Sequence, residues 1–170
     1  IAGMVNLSTK EPANDRAHAM AYVDITQTGG YYEKPLSDKS SLYIGARKSY
    51  VGQLFKLALS GNKDFNLTVA PDFDDGIVSY SKKVDENNSF KITAIGSRDT
   101  IGFVLPEPPE SEPSLRGKFS ATTLFYRLLP QYTHKYSPTT TGRFWLGLGQ
   151  DSQRVDFANL YYHIDTSVFS

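Results

Sequence analysis

The chain has 170 residues, 39% hydrophobic and 13% aromatic, and its 18 basic and 18 acidic side chains give a formal net charge of zero. This length and composition favour one folded domain with a core and argue against disorder. The balanced charge excludes the basic surface typical of nucleic-acid-binding proteins. The absence of cysteine excludes disulfides, thiolate nucleophiles and Cys-ligated zinc.

The first seventeen residues mix a short apolar start with a polar stretch that contains Pro12. We interpret residues 1–17 as an extended arm, since terminal segments of this kind are ordered only where they dock. No apolar run approaches the roughly 18 residues that a bilayer-crossing helix needs, so we expect no membrane span. The chain begins with Ile1, and we therefore expect a processed product or an excised domain.

Alternation of apolar and polar residues predicts strands over residues 20–26 and 41–46, with Gly29 and Gly30 ending the first of them. The stretch 51–96 reads as a β-meander, with strands at 54–60, 65–70, 77–82 and 90–95. Polar turns at 61–64 and 85–88 separate the strands of each pair. The acidic run at 72–76 is interpreted as a further turn between strands.

The second half continues the same pattern. Residues 100–105 predict a strand, and the Pro/Glu-rich stretch 106–113 predicts an extended connector. A long strand over 117–129 is expected to end at Pro130, followed by a polar loop over 131–142. The last strands are expected at 144–148 and 154–164, joined by a turn at 149–153. A change of face near Asn159 indicates a β-bulge or a change of sheet.

About ten short, evenly spaced strands and little or no helix predict an all-β fold. The expected architecture is a single domain over residues 1–170, built as an antiparallel β-sandwich or jelly roll.

The residues offer few candidates for chemistry. Phosphate-loop, dinucleotide and zinc-protease motifs are absent. His18, His134 and His163 lie in different predicted elements, so a catalytic or metal site would have to assemble in space. The acidic run supplies one weak candidate for calcium, at Asp72, Asp74 and Asp75, although its spacing is one residue short of an EF-hand loop. We otherwise expect no cofactor.

The aromatic residues are the most suggestive feature, because the chain has 11 tyrosines and one tryptophan. Tyrosine combines an apolar ring with a hydroxyl, and it serves protein interfaces and sugar stacking alike. Trp145 is expected in the core or at a sheet edge, and it becomes the first sugar-stacking candidate if exposed. The predicted ligand-binding residues are Tyr31, Tyr32, Tyr132, Tyr136 and Trp145.

These observations favour a non-enzymatic structural or interaction protein, an extracellular surface or assembly subunit of a virion capsid or a pilus. Its partners would be further copies of itself or a surface glycan or protein receptor. A carbohydrate-binding module or lectin-like adhesin domain is the alternative hypothesis, and a polysaccharide-acting hydrolase is the third. The distribution of the tyrosines separates the first two: one concave patch favours sugar, and a spread over a contact surface favours assembly.

Overall fold

The computed structural model describes residues 11–59, 71–105, 117–157 and 160–170. These residues form nine strands and one short helix in chain order, with the following bounds: β1 His18–Val23, β2 Gln27–Ser37, β3 Ser40–Ser49, α1 Val51–Leu59, β4 Asp72–Lys83, β5 Asn88–Leu105, β6 Gly117–Ser137, β7 Thr140–Trp145, β8 Leu148–Phe157 and β9 Leu160–Phe169.

All nine strands belong to one antiparallel sheet in the order β1-β2-β3-β4-β5-β6-β8-β9, and β7 pairs with β6. Most neighbours in the sheet are therefore neighbours in the chain. The long strand β6 has β5 along one side and β7 followed by β8 along the other. The expectation of an all-β antiparallel fold is confirmed. Across the described ranges the strands form a single open sheet, and a sandwich or jelly roll is not confirmed.

The predicted strand at 54–60 is wrong, because Val51–Leu59 is a helix. The sequence places apolar residues at 51, 54, 55 and 58, which is the spacing of one helical face. The Ser49 hydroxyl accepts the N–H of Val51 at 3.3 Å, and the Tyr50 carbonyl accepts those of Gln53 and Leu54 at 3.1 Å. These bonds start the helix directly after β3. The segment has so many apolar residues that its sequence fits both the helical repeat and the two-residue repeat of a strand.

The acidic run at 72–76 is not the turn that its composition predicts, because it forms the first part of β4. Asp74 lies directly opposite Lys48 on β3 and Arg98 on β5. Its carboxylate binds Lys48 Nζ at 2.6 Å and also contacts the Arg98 guanidinium. Opposite charges on adjacent strands stabilise this pairing, which overrides the turn preference of the acidic residues.

Gly29 and Gly30 do not end a strand; they lie within β2. A Cβ at Gly30 would lie 2.5 Å from the Met20 carbonyl oxygen, and one at Gly29 would lie 2.7 Å from the Tyr22 hydroxyl. These glycines allow β1 to approach β2 closely, which is the other common use of glycine in a strand.

Pro130 does not end β6, and the predicted loop at 131–142 is a hairpin of β6 and β7. Pro130 sits where the neighbouring strand passes from β7 to β8, and its carbonyl accepts the N–H of Leu146 at 3.1 Å. A residue without an N–H is tolerated at such an interruption of the ladder. The predicted turn at 149–153 is likewise part of a strand, β8.

Several expectations fall outside the described residues, namely the strand at 65–70, the connector at 106–113, the irregularity at Asn159 and the first ten residues of the arm. The strands expected at 41–46, 77–82 and 90–95 are confirmed by β3, β4 and β5, and the strand expected at 20–26 is confirmed as far as Val23, where β1 ends.

The ion pairs of Asp74 predict a measurable loss of stability in Asp74→Asn. The hydrogen bond from Lys48, followed by that from Arg98, holds the pKa of Asp74 below its ordinary value of 3.8. At neutral pH we expect Asp74→Asn to lower the free energy of unfolding by about 1 kcal/mol, a modest value because the pairs are partly exposed.

The pH dependence follows from the lowered pKa of Asp74. Its stabilising effect is fully present above the unfolded value of 3.8 and is lost as pH falls through the lower folded value. Denaturant titrations at neutral pH and below pH 3.8 should therefore show the variant and the wild type converging in acid. Asp38→Asn, in the exposed β2–β3 turn, serves as the control. An equal loss of stability at all pH values would contradict the prediction.

Candidate interaction surface

The two faces of the sheet differ in polarity. Residues directly opposite each other on adjacent strands share a face, and alternate residues of one strand lie on opposite faces. The face called here the polar face carries side chains that are 9% exposed or less: Glu33, Ser41, Ser79, Lys91 and Thr93. Among the residues whose exposure the structure describes, no Ala, Val, Leu, Ile, Met, Phe, Tyr or Trp side chain is buried to this degree.

The opposite face, called here the apolar face, carries an unbroken apolar row. One residue of each of the eight strands in the sheet order is aligned in it: Ala19, Tyr32, Ile44, Val78, Ala94, Leu128, Leu148 and Phe169. All eight are exposed, and the six large ones are 38% to 78% exposed. At the usual strand separation this row extends about 34 Å across the sheet.

Aromatic rings cluster on the same face where β6 pairs with β7, in what we call the aromatic hairpin patch. Tyr132 and Phe144 are direct cross-strand partners, and their ring centroids lie 6.4 Å apart. His134 and Tyr136 meet edge to face at 4.5 Å. Tyr132, Tyr136 and Phe144 are 40%, 61% and 57% exposed, so the patch presents rings to solvent.

Asn88 holds two of these rings in place. Its Oδ1 accepts the Tyr132 hydroxyl and lies 2.7 Å from His134 Nδ1, while its Nδ2 donates to both carboxylate oxygens of Asp85 at 2.8 and 2.7 Å. Because Nδ2 faces the carboxylate, Oδ1 is the acceptor, and His134 carries its proton on Nδ1. Hydrogen bonds from the Asn88 side chain and the Asn87 backbone lower the pKa of Asp85.

The five predicted ligand-binding residues do not form one site. Tyr132 and Tyr136 lie together in the aromatic hairpin patch, whereas Tyr32 lies in the apolar row on β2, four strands away in the sheet order. Tyr31 is on the polar face, where it stacks on Tyr43 at 5.6 Å. Trp145 is also on that face, on β7, which pairs with β6 alone among the described strands. It is 63% exposed, so of its two expected places the core is wrong and the sheet edge fits.

Sequence reasoning missed Asn88, His134 and Phe144 as members of the aromatic hairpin patch. The usable signal was the spacing of Tyr132, His134 and Tyr136 at every second residue, which places them on one face of a strand. A loop at 131–142 implies no shared face for these three residues, and the segment is instead part of β6 and β7.

The candidate calcium residues are largely engaged elsewhere. Asp74 pairs with Lys48 and Arg98, and Asp75 Oδ2 accepts the Arg47 Nε–H at 2.7 Å. Asp72 Oδ1 is buried and has no hydrogen-bond partner. A search of the described residues finds no group of three or more potential metal-ligating side chains. The weak calcium site thus stays a prediction.

One serine and histidine pair bears on the hydrolase reading. Ser152 Oγ lies 2.9 Å from His163 Nε2, and Asp165 Oδ1 lies 3.1 Å from the same nitrogen. A catalytic triad needs the carboxylate on Nδ1, opposite the nitrogen that faces the serine. This cluster therefore lacks triad geometry, and the hydrolase reading gains no support from it.

Asn88→Ala should destabilise the β5–β6–β7 region, because the Tyr132 hydroxyl and His134 Nδ1 lose their acceptor. We expect a loss of about 2 kcal/mol in the free energy of unfolding, measured by chemical denaturation. Asn87→Ala is the matched control, since the structure gives a hydrogen-bonding role to its backbone alone. Equal stability of Asn88→Ala and the control would contradict a supporting role for Asn88.

No helix in the described ranges is long and apolar enough to cross a membrane. Comparisons with protein-family models, curated proteins and solved structures find no match to this chain. Any statement about function consequently rests on the surfaces described above, of which the apolar row is the most extended.

Proposed function

We propose that the chain is a non-enzymatic structural or interaction protein, in which the apolar face is covered by another layer in the working state. The exposed apolar row carries this proposal. Exposed apolar areas larger than a few hundred Å² are uncommon on monomeric proteins and mark contact surfaces. Burying a large aliphatic or aromatic side chain stabilises a protein by about 1.5–3 kcal/mol, so covering six of them gives a strong driving force.

The distribution of the tyrosines supports assembly over a single ligand pocket. They occupy both faces and strands four positions apart in the sheet order, with Tyr31 and Tyr32 on β2 and Tyr132 and Tyr136 on β6. A zero net charge provides little electrostatic repulsion between copies and is compatible with close association.

The edges of the sheet offer a second route to association. Among the described strands, β1, β7 and β9 each pair on one side only. Edge strands present free N–H and C=O groups that accept another strand by main-chain hydrogen bonding. Strand addition at an edge and packing on the apolar face are compatible, because the two contacts use different groups.

A further copy of the chain is the occupant that we propose for the apolar face. Two such sheets packed face to face would form a β-sandwich in which each chain supplies one of the two layers. A subunit of this type suits an extracellular particle such as a virion or a pilus, which is the setting we propose.

Polar substitution of the apolar row tests the proposal. The triple variant Ile44→Thr, Val78→Thr, Leu128→Thr keeps two β-branched positions and adds a third, so the strands should persist. Light scattering over a concentration series should show a discrete oligomer for the wild type and at least tenfold weaker association for the variant, with unchanged circular dichroism. Val84→Thr, in the exposed β4–β5 turn, is the matched control.

The same series repeated in mild detergent identifies the occupant. A second copy on the apolar face predicts a discrete species without detergent. Aggregates of no fixed size without detergent, together with a monomer in detergent, would indicate that the apolar face binds hydrocarbon. That result would contradict self-assembly. A monomer both with and without detergent would contradict the proposal that another layer covers the apolar face.

Glycan binding is a second candidate because Trp145 is 63% exposed and offers a ring for stacking on a sugar. Trp145→Ala should then weaken retention on a glycan array while changing the free energy of unfolding by less than about 0.5 kcal/mol, as expected for an exposed side chain. Tyr161→Ala is the control, because it also removes an exposed aromatic ring. Unchanged retention would remove this candidate.

A further inference from the structure

The segment that precedes β1 lies against the polar face of the sheet. Glu11 Oε1 binds Lys91 Nζ on β5 at 3.1 Å, and Glu11 Oε2 accepts the Ser81 hydroxyl on β4 at 3.3 Å. Two residues further on, the N–H of Ala13 donates to Glu33 Oε2 on β2 at 3.2 Å. Glu11 and Ala13 together therefore contact three strands.

The partners on the sheet are charged groups with little access to water. The Lys91 side chain is 11% exposed, and Glu33 as a residue is 1% exposed. A buried charge is costly unless opposite charges or hydrogen bonds compensate for it. Glu11 contributes a carboxylate to Lys91, and Ala13 contributes a backbone donor to Glu33, so the segment supplies part of what each buried charge requires.

Pro12 lies between these two contacts and is buried. Its ring fixes φ, which lowers the conformational entropy that the segment loses on docking. A buried proline flanked by two polar anchors is a compact attachment, in contrast to the exposed residues 14–17 that follow it.

We propose that residues 11–13 are a strap that the polar face is built to hold, with Lys91 and Glu33 as its two anchors. The polar face is then an intramolecular docking surface, and its occupant is this chain's own N-terminal segment. The two faces of the sheet have different partners: the strap on the polar face, and another layer on the apolar face. Release of the strap would expose Lys91 and Glu33 to water without any change in strand pairing.

Glu11→Gln tests the strap with little risk to the fold, because the Glu11 side chain is 72% exposed. The substitution keeps the shape and removes the charge that faces Lys91. Hydrogen–deuterium exchange of the Ala13 amide is the direct measurement, since that N–H donates to Glu33. We expect about tenfold faster exchange of this amide, the scale of one lost charge-assisted contact, with unchanged exchange in β2 to β5.

Glu86→Gln is the matched control, an exposed glutamate in the β4–β5 turn that should leave the Ala13 amide unaffected. Trypsin cleavage after Arg16, whose side chain is 79% exposed, gives an independent readout and should accelerate in Glu11→Gln alone. Unchanged exchange and cleavage in Glu11→Gln would overturn the strap. Equal acceleration across β2 to β5 would also overturn it, because the contact would then support the whole sheet.

Discussion

The constraint on which this structure depends is the two-residue repeat of the β-strand, kept in register across the sheet. Because alternate side chains lie on opposite faces, every aligned set of residues is committed to one face along the whole strand order. One such set is uniformly apolar, from Ala19 to Phe169, while a neighbouring set on the opposite face includes Glu33, Ser79 and Thr93. These two sets differ in polarity, and the polar set is the more buried, although the apolar face also carries the charged row Lys48, Asp74 and Arg98.

Polar contacts supply much of the cohesion visible within the described residues. Asp74 links β3, β4 and β5, and Arg127 binds both carboxylate oxygens of Asp151 across β6 and β8 at 2.7 and 2.9 Å. The buried hydroxyls of Ser79 and Thr93 lie 3.1 Å apart on adjacent strands. Such bonds fix register and specificity, whereas burial of apolar area normally supplies most of the stability. This imbalance is why a covering layer on the apolar face is energetically favoured.

Strand content and most strand positions could be predicted from alternation alone, as at Ile77 to Lys82 and Phe90 to Ile95. The errors came where a local signal competed with long-range pairing. Asp72 to Gly76 has the composition of a turn, but partners 26 and 24 residues away hold it as a strand. Asn88 gave no signal as a supporting residue, because its contacts with Tyr132 and His134 span 44 and 46 positions. Leu54 belongs to a run whose apolar residues fit both a strand and a helix, and the hydrogen bonds that the Tyr50 carbonyl accepts from Gln53 and Leu54 identify the helix.

The near-sequential strand order has a consequence for how the sheet is made. Every described strand from β2 to β6 pairs with the described strand before it, so the first six strands require no crossover connection. Contacts between chain neighbours cost little loop entropy, and such a sheet can grow one hairpin at a time as the polypeptide emerges from the ribosome. At each stage the newest strand leaves a free edge that only the next strand protects. Among the connections from β1 to β6 the one from Ser49 to Asp72 is the longest, so the edge of β3 waits longest for the strand that covers it.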